Sequence, residues 1–248
     1  MNFQISLTDG TFTTIVTAWP DANDRSTSAC LARIASYIIW WLFMSRVSAI
    51  YVLVVSLTIC LNHQYKNLQS YFYRLVDIFE NNDLSQIEKE MEYERSLKIG
   101  IKLHSDTLWC TKQFQTACSA VFSGQIIITI YVLCLLMLQM VNSDRTLMNT
   151  LPIVTTGATM LISTGFYMWN AGDVTEEAAL LPTVMYCSGW ENCQRNSSKR
   201  IRRLLFVAMA MAQSQRPVIL RSFGIIELSY ELYLSIVKSS YSAFSLLY

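Results

Sequence analysis

Apolar residues run along this chain in blocks too long for the core of a soluble domain. Residues 117–141 carry no charge, and residues 147–171 carry none either. A hydrocarbon layer about 30 Å thick takes roughly 20 apolar helical residues, because lipid offers the backbone no hydrogen-bond partner. Both blocks are therefore predicted to be membrane-spanning helices. A third block, 34–61, is interrupted by Arg46. A span near 43–61 lets that guanidinium snorkel or face a protein cavity, and sets Tyr37, Trp40 and Trp41 at the interface as an aromatic belt.

The fourth block, 223–248, contains Glu227, Glu231 and Lys238, which are costly against lipid. Read as one helix, it places Glu227, Glu231, Ser235, Lys238, Ser242 and Ser245 on a single stripe, with aromatic and aliphatic faces beside it. One polar and two apolar faces fit a pore-lining helix. They fit a polar seam inside a bundle equally well.

Between the spans at 43–61 and 117–141 the pattern stays helical. Leu68, Phe72, Leu75 and Phe79 recur at helical spacing, and Asn81, Asn82 and Asp83 then break the run. Ser85-Gln86-Ile87-Glu88 has the form of a capping box, after which only Gly100 interrupts a helix running into the span at 117. Residues 85–116 would extend about 50 Å from the membrane and need a packing partner. An amphipathic stretch at 199–215, with Ile201, Leu204, Leu205 and Ala208 on its apolar side and Pro217 after it, is the candidate. A basic helix lying on anionic lipid is the other reading of that stretch.

Charge gives the orientation. Residues 62–116 hold seven Lys and Arg and residues 172–216 hold six, whereas the opposite side offers Arg25, Arg33 and Arg145. Both basic loops are accordingly expected in the cytosol, with both termini outside and residues 1–33 forming an extracellular segment. The sequon Asn196-Ser197-Ser198 would then be cytosolic and unglycosylated. The start of the chain lacks a basic stretch followed by an apolar one, so it does not read as a secretory signal.

Composition agrees with the membrane reading: 52% of the 248 residues are hydrophobic and 15% are charged, against about 25% in soluble domains. A net charge of +1 gives no footprint for nucleic acid. The seven cysteines form no CxxC pair, and His63 and His104 have no partner at metal-ligand spacing, so no metal or cofactor is expected. No nucleophile elbow, phosphate loop or dinucleotide fingerprint occurs, and Glu88, Glu90, Glu92 and Glu94 alternate with Lys89 and Arg95 as a solvated helix face does. An enzyme is not indicated. The fold class expected is all-α, a polytopic helical membrane protein of about four spans with cytosolic anchor helices.

Two segments carry a resemblance. LSYELYLSIVKSSYSAFSLL at 228–247 resembles the closing pattern of insect odorant receptors, L-S-x-E-x-F followed by K-x-S-Y-S-Y-F, and RRLLFVAMAMAQSQRPVIL at 202–220 resembles their cytosolic helix ending in Q-x-P-x-x-L. Trp190 and the long helix entering an uncharged span fit the same order of elements. The resemblance implies a subunit of an odorant-gated cation channel, in the plasma membrane of olfactory sensory neurons, assembled as a heterotetramer with a co-receptor subunit. The spans at 43–61, 117–141, 147–171 and 223–248 would correspond to that family's fourth to seventh, with 199–215 as the cytosolic part of the seventh.

The departures are the missing counterparts of the first three spans, Ala243 in place of an aromatic residue, and Arg221-Ser222-Phe223-Gly224 where a small-residue turn is usual. They suggest a fragment or shortened isoform. Candidate contacts for a volatile small-molecule ligand are Trp41, Met44, Met137, Thr156 and Met160, and candidate pore residues are Ser242, Ser245 and Leu246. The competing functions are a non-conducting interaction subunit and a gustatory-type receptor.

Overall fold

The computed structural model describes residues 26–80, 83–142, 147–214, 219–222 and 226–247. Within the helices, the side chains at 142, 148–149, 195–197, 214, 243–244 and 246–247 fall outside the described set. Most of the predicted segment 1–33, Asn81, Asn82, the sequon residues Asn196 and Ser197, and Pro217 are thus not described, wholly or at the side chain.

Among the described residues, six helices carry the fold: α1 (Thr27–Tyr73), α2 (Asp77–Glu80), α3 (Gln86–Asn142), α4 (Leu147–Tyr186), α5 (Arg195–Ser214) and α6 (Tyr230–Leu247). A 3-10 turn at Trp190–Asn192 precedes α5, and a two-residue antiparallel ladder joins β1 (Arg221–Ser222) to β2 (Ile226–Glu227) ahead of α6. Among the described residues, three stretches are long and apolar enough to cross a bilayer, Thr27–Glu80, Gln86–Val141 and Thr150–Asn192. Only 6%, 22% and 28% of their most apolar windows is buried by protein, so the remaining apolar surface calls for lipid. The chain is an all-α polytopic membrane protein.

The chain divides into two compact units after Val54. A buried apolar core lies at the end of the bundle where α3 begins. Leu68, Phe72 and Leu75 meet Tyr93 and Leu97 of α3, Leu181, Val184 and Met185 of α4, and Ile201, Leu205 and Ala208 of α5. The period-3.6 stripe of α5 is thus seated in protein. The Tyr93 and Ser188 hydroxyls, both buried, lie 2.7 Å apart within this core. Gly100 lets α1 approach α3, since a Cβ there would stand 2.8 Å from the Phe72 ring.

The start of α3 is capped as the sequence predicts. The Ser85 amide donates to Glu88 Oε2 at 2.9 Å, and the Glu88 amide donates back to Ser85 Oγ at 3.4 Å. Further along, Glu94 joins Lys98 at 2.7 Å and pairs with Arg200 of α5. Burial pushes its carboxyl up, but the two cations more than reverse this and leave it lowered.

Two helix boundaries differ from the sequence reading. The helix containing 147–171 does not stop there: α4 runs on to Tyr186, and it is this extension, through Leu181, Val184 and Met185, that supplies a wall of the anchor core. Asp173, Glu176 and Glu177 end an apolar stretch without ending a helix, because glutamate is a good helix former in water. The helix expected over 223–248 begins only at Tyr230. Glu227 belongs to β2, where it accepts a hydrogen bond from Arg221 Nη2 at 2.9 Å, so it is not part of the α6 stripe.

Candidate ligand cavity and closing helix

The elbow before α6 is held by α3. Gln115 Nε2 donates to the Arg221 carbonyl at 2.6 Å, and the Arg221 amide donates to Gln115 Oε1 at 2.9 Å, so one side-chain amide pairs with a strand edge as another strand would. Ser222 Oγ, fully buried, lies 3.0 Å from Ser123 Oγ of α3.

From this elbow α6 runs against α4. The Tyr230 hydroxyl donates to Asp173, and the Tyr230 ring lies so close to Gly172 that a Cβ there would stand 2.8 Å from it. One turn on, a Cβ on Gly165 would stand 3.2 Å from the Tyr233 ring, which also meets Trp169 edge-on at 5.8 Å. Small residues opposite rings are what allows two helices to pack closely in lipid.

Beyond Tyr233 the two helices part. A cavity of about 380 Å³ opens among α3, α4 and α6, walled by Leu133, Met137 and Met140, by Ile153, Gly157 and Ala158, and by Val237, Ser240 and Tyr241. Its lining is almost wholly apolar, and its size falls in the range of about 300–1,000 Å³ typical of small-molecule sites. A second cavity of about 300 Å³ lies between α3 and α6, with Cys134, Ser235 and Ser239 on its walls. It shares Leu133, Met137 and Ser240 with the first.

Of the five candidate ligand residues, Met137 lines both cavities. Thr156 is exposed and donates to the Pro152 carbonyl of its own helix at 2.7 Å, and Met160 is half-buried. At 100° per residue, both sit on the side of α4 opposite Ala158. Trp41 and Met44 are exposed on α1, at 63% and 37%. Of Met137, Thr156 and Met160, it is Met137 that lines the cavities. The cavity residues that the sequence reading missed, Gly157 and Ala158 on α4 with Val237 and Ser240 on α6, carry no chemical signature. Only the crossing of three helices selects them.

Of the pore candidates, Ser242 and Ser245 are both exposed, and Ser245 Oγ donates to the Ser242 carbonyl at 2.9 Å. The Leu246 side chain lies outside the described residues. Glu231, Ser235, Lys238 and Ser239 are exposed as well, so the polar stripe of α6 is uncovered by the described part of the chain.

No curated protein matches this chain. A family model described as the 7tm Odorant receptor matches residues 20–241 of the 248. A match of that extent takes in every described helix from α1 to α5 and most of α6, and with it the elbow, the cavity and the greater part of the exposed stripe. The chain belongs to the 7tm odorant receptor family.

Proposed function

We propose that this chain is a subunit of an odorant-gated cation channel, in which an apolar volatile molecule enters the cavity among α3, α4 and α6 and alters an aqueous path bordered by the stripe of α6. Membership makes it a membrane receptor protein of a family that responds to small volatile ligands, not an enzyme family. The observation that carries the finer reading is one of position: a single helix, α6, has an apolar cavity on one flank and an uncovered row of hydroxyl and charged side chains on another.

In this reading, spans near 43–61, 117–141, 147–171 and 223–248 cross the plasma membrane of an olfactory sensory neuron, with the anchor helices in the cytosol and the cavity in the outer half. Met137 contacts the ligand in the cavity. Trp41, Met44, Thr156 and Met160 remain proposed ligand contacts. Ser242 and Ser245 give a dehydrating cation partial compensation, and Leu246 constricts the path by excluding water. The subunit assembles with the odorant co-receptor. Phe206, Val207 and Met211, exposed along α5, support a protein contact there.

Voltage-clamp recording from cells expressing the chain with and without the co-receptor tests this. Cation current evoked by a panel of volatile C8–C10 alcohols, esters and terpenes, dependent on both chains, is the expected result. Altered co-receptor trafficking with no evoked current would identify a docking subunit instead. Current without the co-receptor, evoked by soluble tastants, would identify a gustatory-type receptor.

A further inference from the structure

Hydrogen-bonding groups are scarce in the wall of the larger cavity. Tyr241 is 73% exposed and leaves most of its surface outside, and the sulfurs of Met137 and Met140 accept weakly, so the Ser240 hydroxyl is the principal polar group of the described wall. The same residue borders the second cavity, together with Ser235 and Ser239. At 100° per residue Ser240 falls between Val237 on one side and Ser239 on the other. The aliphatic and the hydroxyl-bearing walls of α6 therefore meet at this side chain.

What Ser240 can offer a ligand is decided by its own hydrogen bond. Its Oγ donates to the Ile236 carbonyl at 2.8 Å, which commits the single proton of the hydroxyl. The lone pairs that remain accept and do not donate. A carbonyl or ether oxygen brought to Ser240 must take that proton from Ile236, exchanging one bond for another, whereas a ligand O–H adds a bond and breaks none inside the protein. Charged heads fit worse still, since an ammonium or a carboxylate would leave water for a wall that is almost wholly apolar.

We infer that Ser240 makes the cavity selective for a neutral hydrogen-bond donor, so that the ligand class is a medium-chain alcohol whose hydroxyl donates to Ser240 Oγ and whose chain lies among Leu133, Met137, Ala158 and Val237. This rests on the proposed channel reading and deepens it by naming the head group of the ligand. The bound alcohol's own oxygen faces the second cavity, where Ser235 or Ser239 can donate to it. An ester, ketone or ether of equal size keeps the hydrophobic gain of the chain and lacks the donor. Ser240 thus sets specificity by what its oxygen cannot do. Because its bond to Ile236 is internal to α6, alanine in its place removes the acceptor and breaks no hydrogen bond between helices.

A pair of isomers isolates the donor. The primary alcohol nonanol and methyl octyl ether contain the same atoms in nearly the same shape, and differ in the O–H. In cells expressing the full chain with the co-receptor, nonanol is expected to evoke half-maximal current at a concentration about fivefold below that of the ether, the factor set by one hydrogen bond of ordinary net strength. Ser240→Ala should raise the alcohol's half-maximal concentration to that of the ether and leave the ether's unchanged, while Ser240→Thr, which keeps the hydroxyl, and Tyr241→Phe should preserve the preference. Equal potency of the two isomers on the wild-type chain, or a preference that survives Ser240→Ala, would overturn the inference. A second measurement needs no current: the rise in unfolding temperature of the purified full chain in nanodiscs with each isomer. If the wild-type chain gives no evoked current, yet nonanol stabilises it more than the ether does and Ser240→Ala abolishes that difference, the channel reading fails and the alcohol site stands. Equal stabilisation by the two isomers would remove the site.

Discussion

The hydroxyls of Thr129 on α3 and Thr164 on α4 lie 2.7 Å apart with almost no exposure to solvent, joining two helices inside their most apolar stretches. Gln125 reaches toward the same pair, with Nε2 3.4 Å from Thr129 Oγ1 and 3.3 Å from Thr164 Oγ1. The contact fixes the register of α3 against α4, and with it the shape of the cavity two turns away.

Removing one hydroxyl costs its partner a bond in a dry place, whereas removing both leaves two matched apolar groups, with Gln125 Nε2 still 3.4 Å from Ser163 Oγ. Thr129→Val alone is expected to cost on the order of 1 kcal/mol, as polar contacts between membrane helices typically do. Adding Thr164→Val should recover part of that loss. Thermal unfolding of the purified protein in nanodiscs, followed by tryptophan fluorescence, checks both the sign and the non-additivity.

Cys187 and Cys193 provide an internal comparison at the anchor. Cys187 is exposed, while Cys193 is buried in the core, where burial first and then the charges of Glu90 and Glu191 push its thiol up to about 12. Maleimide at pH 8 should label Cys187 and spare Cys193 in the native protein, and label both after denaturation, as read by peptide mass spectrometry. The raised value also sets a direction for stability. An unfolded Cys193 loses its proton near 9.0 while the folded one keeps it to about 12, so the anchor weakens as pH rises through that window.

What the sequence made legible was local or periodic. The capping box at Ser85 and Glu88 is read from four adjacent residues and is found as read. The apolar stripe of α5 is read from its period, and Ile201, Leu205 and Ala208 are all buried. Hydropathy, by contrast, marks the apolar part of a helix and not its end. Asp173, Glu176 and Glu177 mark the limit of an apolar stretch, yet α4 continues through them because its partners there are protein and water. Glu227 fell in step with the α6 stripe by count alone, and a two-residue strand pairing removed it.

The cavity and the ring contacts beside it were invisible for a different reason. Tyr230, Tyr233, Gly165 and Gly172 are unremarkable in composition, and which ring meets which glycine depends on how α6 crosses α4. Methionine suits adaptable apolar sites, but nothing in the sequence separates Met137, which lines the cavity, from Met160, which does not.

The central claim is that the exposed stripe of α6 borders water in the assembled receptor. Substituted-cysteine accessibility along residues 231–245, in a chain whose seven native cysteines have been replaced and which is expressed with the co-receptor, tests it most directly. Charged methanethiosulfonate reagents should modify cysteines at Glu231, Ser235, Lys238, Ser242 and Ser245 and change the current, while leaving positions 232, 233, 236, 237 and 240 untouched. Protection at every position in a conducting assembly would contradict the account.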